Sequence, residues 1–305
     1  MDNMRKKLVF LFLVFSFFLS FSQNQNFVNG RFIVGLDDFI VYEIIDNEPD
    51  EFVEKKLLIQ NIENNNVDTL IMGAFFVDAE KINESEIIYS EGKTINNYNV
   101  LTKQNRQIYE SKYEYSIIDI LIVGNSYCFF IWDNDNNKIH LYLLEKDKEK
   151  LLCSFNSDEY ENPGLKSYSD DDNLYFTING LLYSYNFENE RIKTIENKYL
   201  YTFIVLEEAV LSVSFNKGDD QKTGILGIMN KNFADNQLIM PDFKYHYTDQ
   251  LFFMDNVIYV YYSSKDEKYK IDEQQYIPVQ EIPLFKNKNY SIFFVKDRVF
   301  KMIHN

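Results

Sequence analysis

The chain is poor in the residues that build most recognisable sites. Its 305 residues include two cysteines, one tryptophan and three histidines. Two cysteines exclude a disulfide-stapled miniprotein. Ten glycines and five prolines exclude collagen-like and Pro/Gly-rich linker architectures. They also leave little material for a glycine cradle around a phosphate, and neither Gly-x-Gly-x-x-Gly nor a Walker-type loop occurs. Positive charge is scarce too: 31 Lys and Arg face 47 Asp and Glu, for a formal net charge of −16. That excludes a nucleic-acid binder, which needs a basic surplus to neutralise phosphates. Beyond the N-terminus no apolar run could cross a bilayer. The most apolar later runs, Ile117–Val123 and Ser126–Trp132, are strand-length and are separated by Gly124-Asn125.

What is abundant is hydrophobic and aromatic: 46% and 17% of the chain, with 27 Phe and 23 Tyr. Such a chain can bury a sizeable core and is too apolar for general disorder. The N-terminus has its own grammar. Arg5, Lys6 and Lys7 precede the apolar stretch Leu8–Phe21, and small residues follow at Ser20 and Ser22. Basic region, apolar region and small residues, in that order, are those of a secretory leader. The apolar stretch is 14 residues, short of the roughly 20 that an uncleaved anchor needs. We expect residues 1–22 to be a signal peptide cleaved between Ser22 and Gln23, and residues 23–305 to form one domain. No cysteine stands at the cleavage point to carry a lipid. The mature chain would hold 28 basic and 46 acidic residues, a net of −18. That charge favours solubility and repels anionic lipid surfaces.

After residue 23 the pattern is that of strands. Short runs of Ile, Val, Tyr and Phe alternate with polar turns. In Leu174–Phe187 two such runs flank Asn179-Gly180, the dipeptide that best fits a type I′ hairpin turn. Arg191–Ile195 reads as the next strand. Similar hairpins turn at Leu36-Asp37, Glu91-Gly92, Gly124-Asn125, Glu207-Glu208, Asp255-Asn256 and Lys296-Asp297. Lys138–Leu144 and Lys150–Phe155 add a third and fourth strand to one of them. The turn starts are 55, 33, 55, 28, 48 and 41 residues apart, about 43 on average.

A four-stranded unit cannot bury both its faces alone, whereas radial stacking buries both. The repeat resembles the β-propellers as a class, over nearly the whole mature chain. The expected fold is therefore all-β, a propeller of six or seven irregular blades. A β-sandwich or packed antiparallel meanders is the alternative that the uneven spacing leaves open. The resemblance reaches no named subfamily. Trp132-Asp133 is the one Trp-Asp pair and follows a second strand, whereas in the Trp-Asp repeat family the pair recurs and closes a third. Kelch-type double glycines are absent. A propeller often completes one blade with strands from both termini, and the short last copy, Ser291–Ile303, is consistent with that.

Catalytic motifs are missing. There is no Gly-x-Ser-x-Gly elbow and no His-Glu-x-x-His. His140 alternates with Tyr142 in a strand and reads as a half-exposed strand residue. His304 is penultimate, and His246, between Tyr245 and Tyr247, is the most plausible site residue of the three. No catalytic residue is assigned. The weak metal candidates are Asp133, Asp135 and Asn137, oxygen donors at the 1, 3, 5 spacing of a calcium loop. Lys138 and Leu144 replace the glycine and the bidentate glutamate such a loop uses, so a polar hairpin turn is the simpler reading. No other cofactor is expected. Asp170–Asp172 reads as a solvated loop between blades. Tyr183, Tyr185, Tyr259, Tyr261 and Tyr262 could supply a sugar platform, although aromatic residues suit pleated half-buried surfaces without any ligand. Cys128 and Cys153 fall on the second and fourth strands of one unit. Such strands lie about 10 Å apart, too far for a disulfide.

The functional expectation is an exported, noncatalytic binding or scaffold propeller, periplasmic or extracellular. Its partner would be a protein or a glycan, not a nucleic acid, and the chain itself a monomer with no membrane span after leader removal. The acidic surface favours a basic partner, a cation or a neutral glycan. One alternative is a carbohydrate-active enzyme, a glycosidase or lyase, using carboxylates in the central channel. Two or more inward carboxylates with raised pKa at one end of the ring would speak for it, and a funnel lined by Phe, Ile and Leu against it. The other is a structural envelope component.

Overall fold

The computed structural model describes residues 25–305 apart from 46–54, 75–76, 112–116, 134, 147, 157–164, 171, 195–198, 216–223, 234–236, 247–248 and 273. Residues 1–22, expected as a leader, and the Ser22/Gln23 junction lie outside the described residues. Among those residues every regular element is a strand, and the strands form seven antiparallel four-stranded sheets. β1 (Gln25–Asn29) opens the chain. Blade 1 follows with β2 (Arg31–Gly35), β3 (Phe39–Ile45), β4 (Lys55–Asn61) and β5 (Val67–Ala74). Blade 2 holds β6 (Val77–Asn83), β7 (Glu86–Glu91), β8 (Thr94–Asn99) and β9 (Gln104–Glu110). Blade 3 holds β10 (Ile117–Val123), β11 (Ser126–Asp133), β12 (Lys138–Glu145) and β13 (Lys148–Asn156). Blade 4 holds β14 (Lys166–Ser169), β15 (Asn173–Ile178), β16 (Leu181–Asn186) and β17 (Arg191–Thr194). Blade 5 holds β18 (Tyr199–Val205), β19 (Ala209–Phe215), β20 (Gly224–Asn230) and β21 (Gln237–Phe243). Blade 6 holds β22 (Gln250–Met254), β23 (Val257–Tyr262), β24 (Glu267–Asp272) and β25 (Gln275–Pro278). Blade 7 takes β26 (Ile282–Lys286), β27 (Tyr290–Lys296) and β28 (Val299–His304), and β1 pairs with β28 as its outermost strand.

The first strands of successive blades adjoin one another, so β2, β6, β10, β14, β18, β22 and β26 surround a central channel. The molecule is a seven-bladed β-propeller. Its core is divided into seven wedges, each between neighbouring blades. Strand alternation explains this. In β11, Phe129 and Ile131 face blade 2, while Cys128 and Phe130 face blade 4. In β3, Ile40 and Tyr42 meet blade 7, while Val41 meets blade 2. Middle strands are buried on both faces and so read as continuous apolar runs. Closure uses more than β1. Tyr290 donates its hydroxyl to the carbonyls of Leu36 and Phe39, and Asn289 donates to Asp38 at 2.7 Å, joining blade 7 to blade 1.

The repeat is more regular than the sequence alone indicates. Asn179-Gly180 does form the expected turn, with φ of 51° and 75°. It joins the second and third strands of its blade, however, as do Glu91-Gly92 and Lys296-Asp297. Turns between first and second strands begin at 36, 84, 124, 170, 206, 255 and 287, with intervals of 48, 40, 46, 36, 49 and 32. The broader expected scatter came from mixing two kinds of turn. Asp170 and Asp172 accordingly sit in a turn within blade 4, not in a loop between blades. Blade 7 has three C-terminal strands rather than two.

Candidate functional site

The inner strands begin at one face of the ring, and their first residues carry charge. Arg31 opens β2; Asp78 and Glu80 are the second and fourth residues of β6; Asp119 is the third of β10; Lys166 and Ser167 open β14. With Lys55, Ile118 and Leu165 they line a cavity of about 390 Å³ at the channel mouth. Asp78 and Glu80 are two apart, so they share the channel face of β6, while Ala79 between them is buried. In β10 the register slips between Ile117 and Asp119. This bulge lets the consecutive residues Ile118 and Asp119 both line the cavity, which regular alternation would forbid.

The cluster stitches blades together. The innermost edge of a blade has backbone groups that no further strand can pair. Asp78 Oδ2 accepts the Ile120 N–H at 3.0 Å, joining β6 to β10. Ser167 donates its hydroxyl to Asp119, and Ser169 donates to the Ile122 carbonyl at 2.8 Å, joining β14 to β10. Lys166 Nζ donates to Thr202 Oγ1 at 3.1 Å, reaching β18. Glu43 is buried and pairs with Arg31 at 3.1 Å and Lys55 at 3.3 Å. Burial pushes the Asp119 carboxyl well above its ordinary range, and the neighbouring Asp78 pushes it further. Two carboxyls hydrogen-bonded to each other cannot both ionise easily, which is why the pair raises Asp119. Glu80 is raised to about 7, first by burial and then by Asp78. Burial, followed by the Arg31 charge, lowers Lys166.

A second recess of about 490 Å³ lies between the connection leading into blade 6 and the strands of that blade. Its floor is Tyr245 and Asp249, both buried. Asp249 organises the connection: its carboxylate accepts the His246 N–H at 2.7 Å and the Ser263 N–H at 3.1 Å, and its carbonyl accepts the Tyr245 hydroxyl at 2.8 Å. The walls are Tyr262, Tyr269 and Tyr276, with ring centroids 5.6 to 6.2 Å apart. Phe243 backs them, stacked on Tyr276 at 6.2 Å and on Tyr245 at 5.7 Å. The rim is polar, with Lys244, His246, Ser264, Lys265 and Glu267 exposed. Burial raises the Tyr245 and Tyr262 hydroxyls, with Asp249 and Tyr276 respectively adding to the shift.

His246 and Tyr262, two of the residues the sequence singled out, line this recess. Tyr269 and Tyr276 were missed, since only the pairing of β23, β24 and β25 brings them beside Tyr262. The other aromatic candidates are wedge residues. Tyr183 stacks on Phe176 at 5.3 Å, Tyr261 packs on Phe294 at 4.7 Å, and Tyr185 is buried. Asp133 is spent on its own turn, accepting Asn136 N–H at 3.1 Å and Asn136 Nδ2 at 2.8 Å. These bonds from Asn136 lead in holding the Asp133 carboxyl below its ordinary value, favouring the ionised form. Asn137 takes the positive φ of 49° that the turn requires, and Asp135 is exposed. Among the described residues no group of three or more His, Cys, Asp or Glu is placed to hold a metal. His140 bridges Ser154 at 2.8 Å and Asp133 at 3.4 Å. This serine–histidine–aspartate chain lies across the outer strands of blade 3, away from both recesses. Cys128 and Cys153 are free thiols, and burial raises both, Cys153 to about 12.

No family model matches the sequence, and no curated protein matches it significantly. Solved structures do match. A chain of a mitotic checkpoint complex aligns over 92% of this chain and 93% of its own, with 9% identity and a TM-score of 0.57. TolB from Acinetobacter baumannii aligns over 90% of this chain and 65% of its own, with 13% identity and a TM-score of 0.50. A chain of a nidogen/laminin complex aligns over 68% and 77%, with 12% identity and a TM-score of 0.46. The matches number 698 chains, and at such identities they share an architecture rather than any one activity. The likeness places the chain among β-propellers and goes no further.

Proposed function

We propose that the protein is an exported, noncatalytic propeller that binds a partner at the face where its inner strands begin. The observation that carries this is the separation of the two recesses. Hydrolysis of a glycan calls for carboxylates and a sugar platform in one cleft. Here Asp78 and Asp119 stand at blades 2 and 3, their bonds directed into the wall, beside Ile118 and Leu165. The tyrosines stand at blade 6. Both recesses lie among the loops that a propeller uses for contact. Export is supported by the basic, apolar and small-residue order of residues 1–22. Expression of the full chain with a C-terminal tag tests both halves. Cell fractionation should find the tag outside the cytoplasm, with a mature N-terminus at Gln23, and crosslinking there should capture a specific partner. Retention of Met1 on a cytoplasmic product would refute export.

The enzyme reading is favoured by the channel-mouth carboxyls: Glu80, pushed up to about 7, and Asp119, raised well above its ordinary range, line one cavity, where a general acid would be useful. Turnover of an oligosaccharide by the purified chain, abolished in Glu80→Gln, would establish it in place of the binding reading.

A further inference from the structure

We propose that the tyrosine-walled recess of blade 6 is a binding site for an uncharged saccharide. The inference deepens the binding reading above and rests on it.

Three features select this ligand. The first is shape and polarity. The recess has a buried floor, half-buried tyrosine walls and an exposed polar rim. Its volume of about 490 Å³ falls within the about 300–1,000 Å³ of small-molecule sites. Sugars present apolar C–H faces and a ring of hydroxyls, and an aromatic wall with a polar rim complements both. The second is charge. Lys244 and Lys265 are balanced by Asp249 and Glu267, so neither a cation nor an anion gains a net attraction. Both carboxylates are also engaged: Asp249 by backbone N–H groups, and Glu267 by the Tyr269 hydroxyl at 3.0 Å. The two lysines disfavour a quaternary ammonium ligand, which tyrosine walls alone would suit. The third is an incomplete bond. The Tyr276 hydroxyl oxygen is buried, and the Tyr262 hydroxyl beside it interacts with it without reaching good hydrogen-bond geometry. A buried hydroxyl so incompletely satisfied is costly, and a ligand hydroxyl entering the recess would complete its bonding.

The geometry assigns parts. Tyr269 and Tyr262 offer ring surface, Tyr276 a hydroxyl, and Ser264, Lys244 and Lys265 donors at the rim. Phe243 and Asp249 hold the walls and floor in place and need not touch the ligand.

The experiment uses the chain from Gln23 to Asn305. Saturation-transfer NMR and calorimetry would be run with neutral disaccharides of glucose, galactose, mannose and N-acetylglucosamine, and with choline and inorganic phosphate as charged probes. At least one saccharide should bind with a dissociation constant below about 10 mM. Tyr269→Ala should weaken it about tenfold or more, and Tyr276→Phe by about twofold to tenfold, the worth of one hydrogen bond. Tyr276→Phe keeps the ring, so it guards against loss through misfolding. Glu190→Gln, at an exposed turn of blade 4 outside both recesses, should leave the affinity unchanged. No saccharide binding, or binding of choline or phosphate alone, overturns the inference. Saccharide binding that survives both tyrosine substitutions also overturns it, while leaving the broader binding reading intact. Partner capture that persists without saccharide affinity separates the two in the same way.

Discussion

The channel mouth and the tyrosine recess share a face of one ring but solve opposite problems. At the mouth, inner strands present edge N–H and C=O groups that no further strand can pair, and polar side chains complete them. Asp78 accepts the Ile120 N–H and Ser169 donates to the Ile122 carbonyl, while Ser167 donates to the Asp119 carboxyl beside them. The chemistry there is dense and mostly turned inward. In the recess the polar groups organise the connection from beneath, and aromatic surface borders an open cavity. A cluster of perturbed carboxyls is a common marker of a functional site. In this ring the perturbed carboxyls coincide with interblade joinery, and the better-shaped cavity is walled by tyrosines instead. Carboxyl perturbation and cavity shape therefore point to different places, and only substitution on each side can rank them.

The largest effect should come from the support of the recess. Phe243 is fully buried and stacked against both Tyr245 and Tyr276. Phe243→Ala should cost about 3–5 kcal/mol of stability, as aromatic truncations in a core do, measurable by urea unfolding. It should also abolish ligand capture at the recess while leaving the titration of Glu80 in place. A change in that titration would mean that the two sites are coupled through blades 3 to 5. Next comes the joinery. Asp78→Ala strands the Ile120 N–H and removes the partner of Asp119, which should cost about 1–3 kcal/mol. The same substitution should lower the Glu80 value towards the ordinary range, because Asp78 contributes to its rise. Carboxyl NMR would follow that shift, and an unmoved Glu80 would mean that burial alone sets it.

The difference between the regions also explains what could be seen in the sequence. Middle strands such as Ser126–Asp133 and Ala209–Phe215 pack both faces into wedges, and their apolar runs announce them. Inner strands that face the channel carry polar residues. Val77–Asn83 and Lys166–Ser169 alternate without a strong apolar run, so the eye slips to the next hairpin of the blade. Of the three inner strands so passed over, with Ile282–Lys286 the third, these two carry Asp78, Glu80, Lys166 and Ser167. Local departure from the repeat was itself the trace of the channel cluster. The bulge that aims Asp119 had no such trace, because Ile117–Val123 reads as an ordinary apolar strand. In the recess, His246 and Tyr262 drew notice for their composition. Tyr269 and Tyr276 joined them through cross-strand register, which composition does not encode.

The smallest effect, and the one most specific to the channel, is a dependence of stability on pH. Glu80 holds its proton to about pH 7 in the fold, whereas the ordinary glutamate value is 4.5. Between those values the folded chain binds more protons than the unfolded one, so stability is level below about 4.5 and falls as pH rises towards 7. Asp119, raised by burial and by Asp78, contributes a loss of the same sign. The Glu80 share is at most about 3 kcal/mol, and water in the channel screens it below that. Glu80→Gln keeps the shape of the protonated carboxyl and removes its titration. Parent and variant should melt together near pH 4, and the variant about 2–4 °C higher near pH 8. Tyr276→Phe, made in the other recess, should leave this slope as it is. Coincident melting curves for parent and Glu80→Gln at both pH values would mean that the channel mouth is wet enough to solvate Glu80 fully. The contrast between an inward-turned channel and an open recess would then rest on hydrogen bonding alone.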